Sequence, residues 1–208
     1  MTTRAELREA LRRRLEDRGS TPLWEDDLLH DCLGAAIWEY GIMLPWALET
    51  TVTVPAGATS VAVDAPGLDR GWIDRVLDPS GAAVPRRVEL EDRVHGATGA
   101  PAQSWRWWGG TLQFERPAAG GDWRVEYLGA RALPADDTTP VPIVAGDEEI
   151  VLLLAAGAAL RKRAVEDAKR GIATHPVLTA LADAFRREGQ RLLTRRRRRL
   201  LGGWLGTA

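Results

Sequence analysis

Apolar residues recur along this chain at two periods, and the change between them divides it. The first pattern is helical. Leu7, Ala10, Leu11 and Leu15 share one face, with arginine and glutamate elsewhere, and Thr3-Arg-Ala-Glu6 ahead of them is a capping-box pattern. Gly19 and Ser20 end this helix, and Thr21-Pro-Leu-Trp24 is a short link. Glu25, Asp26 and Asp27 open a second helix, where negative charge suits the N-terminal dipole. Its apolar face is Leu29, Cys32, Leu33, Ala36, Ile37 and Tyr40, and Pro45 stops it.

The period then becomes alternating. Thr51–Val54, Val61–Val63 and Trp72–Leu77 read as strands, and Asp78-Pro-Ser-Gly81 carries the residues of a type I turn. Residues 91–104 are polar and Gly-rich, a loop by composition. Trp105–Trp108 and Thr111–Phe114 flank Gly109-Gly110, which predicts a two-residue hairpin. Arg116–Gly121 turns the chain again, and Trp123, Val125 and Tyr127 alternate with Arg124, Glu126 and Leu128. About six short antiparallel strands between 48 and 130 suit a small sandwich-like or barrel-like module.

Helical spacing returns after a Pro-rich connector, Leu133 to Ile143. Asp147, Glu148 and Glu149 stand at a helix N-terminus, and Gly171 fits its C′ position. Between Ile150 and Leu160 no residue is charged, so this helix has to be covered on several sides. It is too short in apolar length for a bilayer, which needs about 20 residues. Thr174-His175-Pro176 starts a last helix with the stripe Leu178, Leu181, Ala182, Phe185, Gly189, Leu192 and Leu193. The fold class expected is α+β: a four-helix bundle of two N-terminal and two C-terminal helices (1–47 and 131–199). An antiparallel β module (48–130) is inserted and projects from one end. Residues 200–208 form a C-terminal tail whose glycine spacing argues against a helix.

Composition and charge then add to this picture. Charge is nearly balanced over the 208 residues but unevenly placed. Residues 1–50 hold ten acids against six arginines, and residues 186–199 hold eight arginines against one glutamate. One cysteine, Cys32, excludes an internal disulfide. The N-terminus is charged and helical, without the apolar stretch of a signal peptide. Nine tryptophans stand against two phenylalanines and two tyrosines.

Several stretches together carry a family resemblance. Leu23-Trp-Glu-Asp-Asp-Leu-Leu-His-Asp-Cys-Leu-Gly-Ala-Ala-Ile-Trp-Glu-Tyr40 and Asp147–Gly171, with the order of elements, resemble the head–tail adaptor (connector) proteins of tailed bacteriophages and prophages. Arg116–Leu128 is similar to the β portion of larger members. The resemblance implies a structural virion protein made in the bacterial cytoplasm. It would form a ring, 12 copies by family likeness, on the portal protein and extend the DNA channel toward a tail or stopper protein. DNA would pass without sequence-specific contact. Adjacent subunits would bury parts of the second and central helices. The C-terminal segment commonly docks on the portal in such proteins. Many members are shorter and all-helical, so the β module is a departure.

The candidate surfaces follow. Arg195, Arg196, Arg197, Arg198 and Arg199 exceed what a helix C-terminus needs from the dipole, because five in a row surround the helix and repel one another. A solvated helix end, an acidic protein surface and DNA phosphates all fit them. Leu200, Leu201, Trp204 and Leu205 read as anchors for a portal pocket or as packing onto the chain's own bundle. Alternation places Trp105 and Trp107 on one face of their strand and Trp108 on the other, so one ring faces away from the core. A Trp-rich core, a subunit contact and sugar stacking are the readings, and a carbohydrate- or nucleic-acid-binding module is the alternative function. Glu25, Asp26, Asp27 and Asp31 are better explained by the dipole than as metal ligands. His30, His95 and His175 lack ligand spacing, and there is no phosphate loop, nucleophile elbow or CxxC. The expectation is a non-enzyme without metal, cofactor or membrane span.

Overall fold

The computed structural model describes residues 2–17, 19, 22–68, 72–87 and 103–205, with side chains as far as residue 198. These residues form an α+β protein with four helices and two antiparallel sheets. The chain divides into two compact units. One is Met1–Pro45 with Arg131–Ala208, and the other is Trp46–Ala130.

The first unit is helical. Helix α1 (Arg4–Arg14) starts at the capping box: the Thr3 hydroxyl accepts from the Glu6 amide, and the Glu6 carboxylate accepts from the Thr3 amide at 2.9 Å. Helix α2 (Asp26–Met43) buries all six residues of its expected apolar face. Helix α3 (Glu148–Lys169) is buried without a break from Ile150 to Gly157, then again at Ala159 and Leu160. It touches α1, α2 and α4 (His175–Leu205), and that threefold cover is what its uncharged middle requires. One core joins the four helices, from Leu7 and Leu11 through Leu33, Ile37 and Tyr40 to Val151, Ala182 and Leu193. Each fully buried Leu or Ile contributes about 1.5–3 kcal/mol. Close approach of α3 and α4 depends on Gly157, where a Cβ would lie 3.0 Å from the Ala182 carbonyl oxygen. Leu181, expected on the inward stripe of α4, is 43% exposed.

The expectation of a non-helical tail from residue 200 is corrected, because α4 is continuous to Leu205. A helix already nucleated upstream adds a hydrogen bond with each further residue, and two leucines lead into the glycine pair. Glycine costs about 1 kcal/mol at each helical position, which propagation tolerates over a short end. Residues 206–208, and most of the expected 91–104 loop, lie outside the described residues.

The described residues of the second unit form seven strands: β1 (Trp46–Val54), β2 (Ser60–Ala62), β3 (Trp72–Leu77), β4 (Ala83–Val84), β5 (Trp105–Trp108), β6 (Thr111–Phe114) and β7 (Gly121–Gly129). β1 begins immediately after Pro45, five residues earlier than the Thr51 expected from the alternation. The sheets have orders β1-β7-β3-β4 and β2-β6-β5. This corrects the barrel-like expectation. The edge strands β2 and β4 are three and two residues long, too short to close the sheets on each other, and the cross-connection described is an isolated bridge between Arg86 and Trp105. Inner side chains of both sheets share one core, in which the Phe114 and Trp123 rings lie 4.8 Å apart. The β5–β6 hairpin turns on Gly109 and Gly110 as predicted. Their φ angles of +56° and +79° are the conformation a type I′ turn demands of both central residues. The Asp78 turn closes with Gly81 N–H donating to the Asp78 carbonyl at 2.8 Å.

Among the described residues no helix is long and apolar enough to cross a membrane.

Candidate functional site

Helix α4 carries most of the candidate residues, and its packing sorts them. Ala182, Gly189 and Leu193 are buried, with Phe185 and Leu192 half-buried beside them. Leu193 is the last buried side chain described in this helix. Arg196 follows Leu192 by four residues and Gly189 by seven, so it continues the inward stripe. Its Nε donates to Asp147 Oδ2 at 3.1 Å. Arg195, Arg197 and Arg198 are exposed, and Arg197 Nη1 reaches Met43 Sδ at 3.8 Å. The arginine run is therefore two surfaces: one residue anchors the helix and at least three face solvent. The side chains of Arg199, Leu200, Leu201, Trp204 and Leu205 lie outside the described residues.

Asp147 is the centre of a network that hydrophobic patterning does not reveal. It is the N-cap of α3 by position, yet its side chain makes no capping hydrogen bond. Its Oδ2 accepts instead from the Tyr40 hydroxyl at 2.8 Å and from Arg196. The Tyr40 oxygen accepts in turn from the Val144 amide at 3.3 Å. Burial, reinforced by the hydrogen bond to Asp147, pushes the Tyr40 phenol up to about 12, so it keeps its proton at neutral pH. Arg131 lies beside it, 6% exposed, with Cζ 5.2 Å from the Tyr40 ring centroid. It donates Nε to the Leu44 carbonyl at 2.8 Å and Nη1 to the Pro142 carbonyl. Burial lowers the Arg131 pKa, but a guanidinium remains charged. These groups tie the C-terminal end of α2, the connector, the start of α3 and the basic part of α4 together. Each of these groups is spent on a contact within the unit, so the network holds position. Sequence reading assigned Asp147 to the helix dipole and passed over Arg131. The one signal available was an arginine isolated in the apolar run Leu128-Gly-Ala-Arg-Ala-Leu.

Two of the acids of α2, Asp26 and Asp31, are held by bases. Asp26 accepts from Arg12 Nη2 at 2.5 Å and lies 3.6 Å from Arg8 Nε. The Arg12 hydrogen bond holds the Asp26 carboxyl below the usual range. Asp31 meets Lys162 at 3.2 Å. Among the described residues no group of three His, Cys, Asp or Glu side chains is placed to hold a metal ion. His30 Nε2 lies 3.0 Å from Arg8 Nη1, and burial together with the nearby Arg4 and Arg8 lowers its pKa. Cys32 is buried in the core, which raises its thiol pKa.

The β-unit tryptophans separate in the same way. Trp105 is 1% exposed and donates Nε1–H to the Val84 carbonyl at 2.8 Å. It is a core residue, which corrects its place on a candidate surface: the inner face of β5 needs a large side chain to fill the space between the sheets. Trp107 is half-buried against that core, and Trp108 is 72% exposed on the opposite face. Trp108 is the one tryptophan of β5 on the outward face, and a single ring does not make a stacking platform.

A family model described as SU10 adaptor protein matches residues 2–203, nearly the whole chain. No curated protein sequence matches it.

Proposed function

From the premise that this chain belongs to the SU10 adaptor protein family, and is therefore a phage adaptor and virion component, we propose that it forms a ring on the portal protein and extends the DNA channel toward the tail. The helical unit, acting as a four-helix bundle, builds the ring. Arg195, Arg197, Arg198 and the segment to Leu205 engage the portal. A tail or stopper protein binds the opposite side, and DNA passes without sequence-specific contact.

The observation that carries this reading is the division within α4. Arg196 fixes the helix to Asp147 of its own unit, while Arg195, Arg197 and Arg198 keep exposed guanidinium groups directly alongside. A helix anchored at one residue presents the neighbouring charges in a defined geometry, which favours a shaped partner surface over a loosely solvated end. The uncharged part of α3 is covered by its own unit, so α3 between Ile150 and Leu160 is withdrawn as a subunit contact.

The test is binding to the portal ring of the same virus, comparing the full chain with a version ending at Arg196. That end point keeps the bond to Asp147. Saturable binding by the full chain, lost in a shortened protein with an unchanged circular dichroism spectrum, is the expected result. Equal binding by both would place the docking surface elsewhere.

A further inference from the structure

The solvent faces of α2 and α4 have the same unusual composition in opposite order. On α2, Asp27, Asp31, Ala35, Trp38 and Ile42 recur at helical spacing opposite the buried face. The first two are acidic and the last three apolar. Trp38 is 43% exposed and Ile42 63%, on a face that in a solvated helix is polar. On α4 the outward row runs Val177, Ala180, Ala184, then Arg187 and Arg191. Val177 is 69% exposed, and Leu181 flanks the row.

Both apolar stretches span seven residue steps, Ala35 to Ile42 and Val177 to Ala184. The charged residues continue each row at the next turns, three or four residues on and then seven or eight. Laid antiparallel, α2 of one copy and α4 of another bring Ile42 to Val177, Trp38 to Ala180 and Leu181, and Ala35 to Ala184. The same register brings Asp31 to Arg187 and Asp27 to Arg191. The bulky Trp38 meets the small Ala180, and each carboxylate meets a guanidinium. Asp31 has Lys162 at 3.2 Å yet keeps a side chain 75% exposed. Arg191 bonds Glu188 and is 61% exposed. Among the described residues Asp27 and Arg187 have no ion-pair partner. A parallel alignment would put the apolar half of one row against the charged half of the other.

We propose that these two faces are the contact between successive copies of this chain, with the solvent face of α2 on one copy packed antiparallel against the outer face of α4 on the next. The contact joins two different surfaces, so it propagates from copy to copy and closes only as a ring. It rests on the ring reading above and supplies that reading with its residues. Aromatic and arginine side chains at the centre of such a patch carry most of the binding energy, which marks Trp38 as the anchor.

The experiment mixes two full-length variants, Ala35→Cys and Ala184→Cys, both carrying Cys32→Ser. They are incubated under mild oxidation with and without the portal ring, and assembly is followed separately by mass photometry. The expected result is a disulfide-linked dimer from the mixture and from neither variant alone. Asp31→Arg weakens assembly at least tenfold, and Asp31→Arg with Arg187→Asp restores it. Assemblies that form without the mixed crosslink and ignore Asp31→Arg would overturn the pairing and leave the ring standing. A crosslink from Ala35→Cys alone would replace it with a symmetric contact. Absence of any assembly, free or on the portal, would remove the ring reading and this pairing with it.

Discussion

The helical and β units solve the same packing problem with different materials. The helical unit fills its core with leucine, isoleucine, alanine and glycine and then admits charge. Arg131, Asp147 and Asp167 are at most 6% exposed there. Asp167 meets Arg163 at 3.0 Å and the Thr174 hydroxyl at 2.9 Å. The β unit fills its core with Trp105, Phe114, Trp123 and Tyr127 and keeps its ion pairs outside. Arg75–Glu126 and Arg124–Glu49 lie on the outer face of the four-stranded sheet. Stability in one unit is therefore tied to position and charge, and in the other to aromatic volume. The Tyr40–Asp147–Arg196 bonds fix α4 beside its exposed arginines, which an apolar stripe alone would not do.

The largest expected effect breaks the β unit alone. Trp123 is 2% exposed, packs on Phe114 and donates Nε1–H to the Ala119 carbonyl at 3.0 Å. Trp123→Ala removes that volume and is expected to cost about 3–5 kcal/mol. Urea unfolding should show an early tryptophan-fluorescence transition while helical circular dichroism holds. Trp108→Ala, on the outer face, should change stability by no more than about 0.5 kcal/mol. A single transition shifted equally in both probes would mean that the two units unfold as one.

A smaller effect separates two glycines of the helical unit. Gly157 faces backbone atoms of α4 at Ala182 and Arg186, whereas a Cβ at Gly34 of α2 meets nothing within 4 Å. Gly157→Val forces α3 and α4 apart and should cost about 1–3 kcal/mol. Gly34→Ala should stabilise by about 0.5–1 kcal/mol, because alanine loses less backbone entropy in a helix. Thermal melts of both variants would check the opposite signs. Two losses of equal size would deny Gly157 its packing role.

These contrasts also mark what the sequence made legible. Residues such as Leu29, Cys32 and Ile37, or Trp123, Val125 and Tyr127, repeat at the period of their element. Their burial follows from spacing alone, and so do the helices, the hairpin and the inserted β segment. β4 is two residues long and has no period to detect. The helical course of 200–205 was missed because local glycine propensity was weighed without the helix feeding into it. The Arg131 and Asp147 sites were hidden for a different reason. Their partners are a carbonyl at Leu44, a phenol at Tyr40 and a guanidinium at Arg196, groups from separate elements that only the fold brings together. The arginine run was visible as a run, but that Arg196 turns inward appears only when the stripe is traced past Leu193.

The smallest effect tests the charge side of the comparison. Asp26 in α2 is held below its ordinary pKa first by the hydrogen bond from Arg12, and Asp137 in the connector first by that from Arg4. A depressed folded-state pKa means that the folded protein binds the proton less tightly than the unfolded chain. The stabilisation is therefore complete above the unfolded carboxylate value, about 3.9, and is lost as pH falls through the lower folded value. Asp26 is half exposed, so its pair is screened and contributes only about 0.2–1 kcal/mol. Asp78 in the β unit is also lowered, but by Ser80 and backbone amides within its own turn, so its protonation releases no contact between elements. Acid should thus loosen α1 and α2 before it affects the sheets. Asp26→Asn should be slightly less stable at neutral pH and lose less on acidification, measured as the urea midpoint at 222 nm from pH 7 to pH 2. Parallel acid limbs in the two proteins would show that the Arg12–Asp26 bond does not couple the helices.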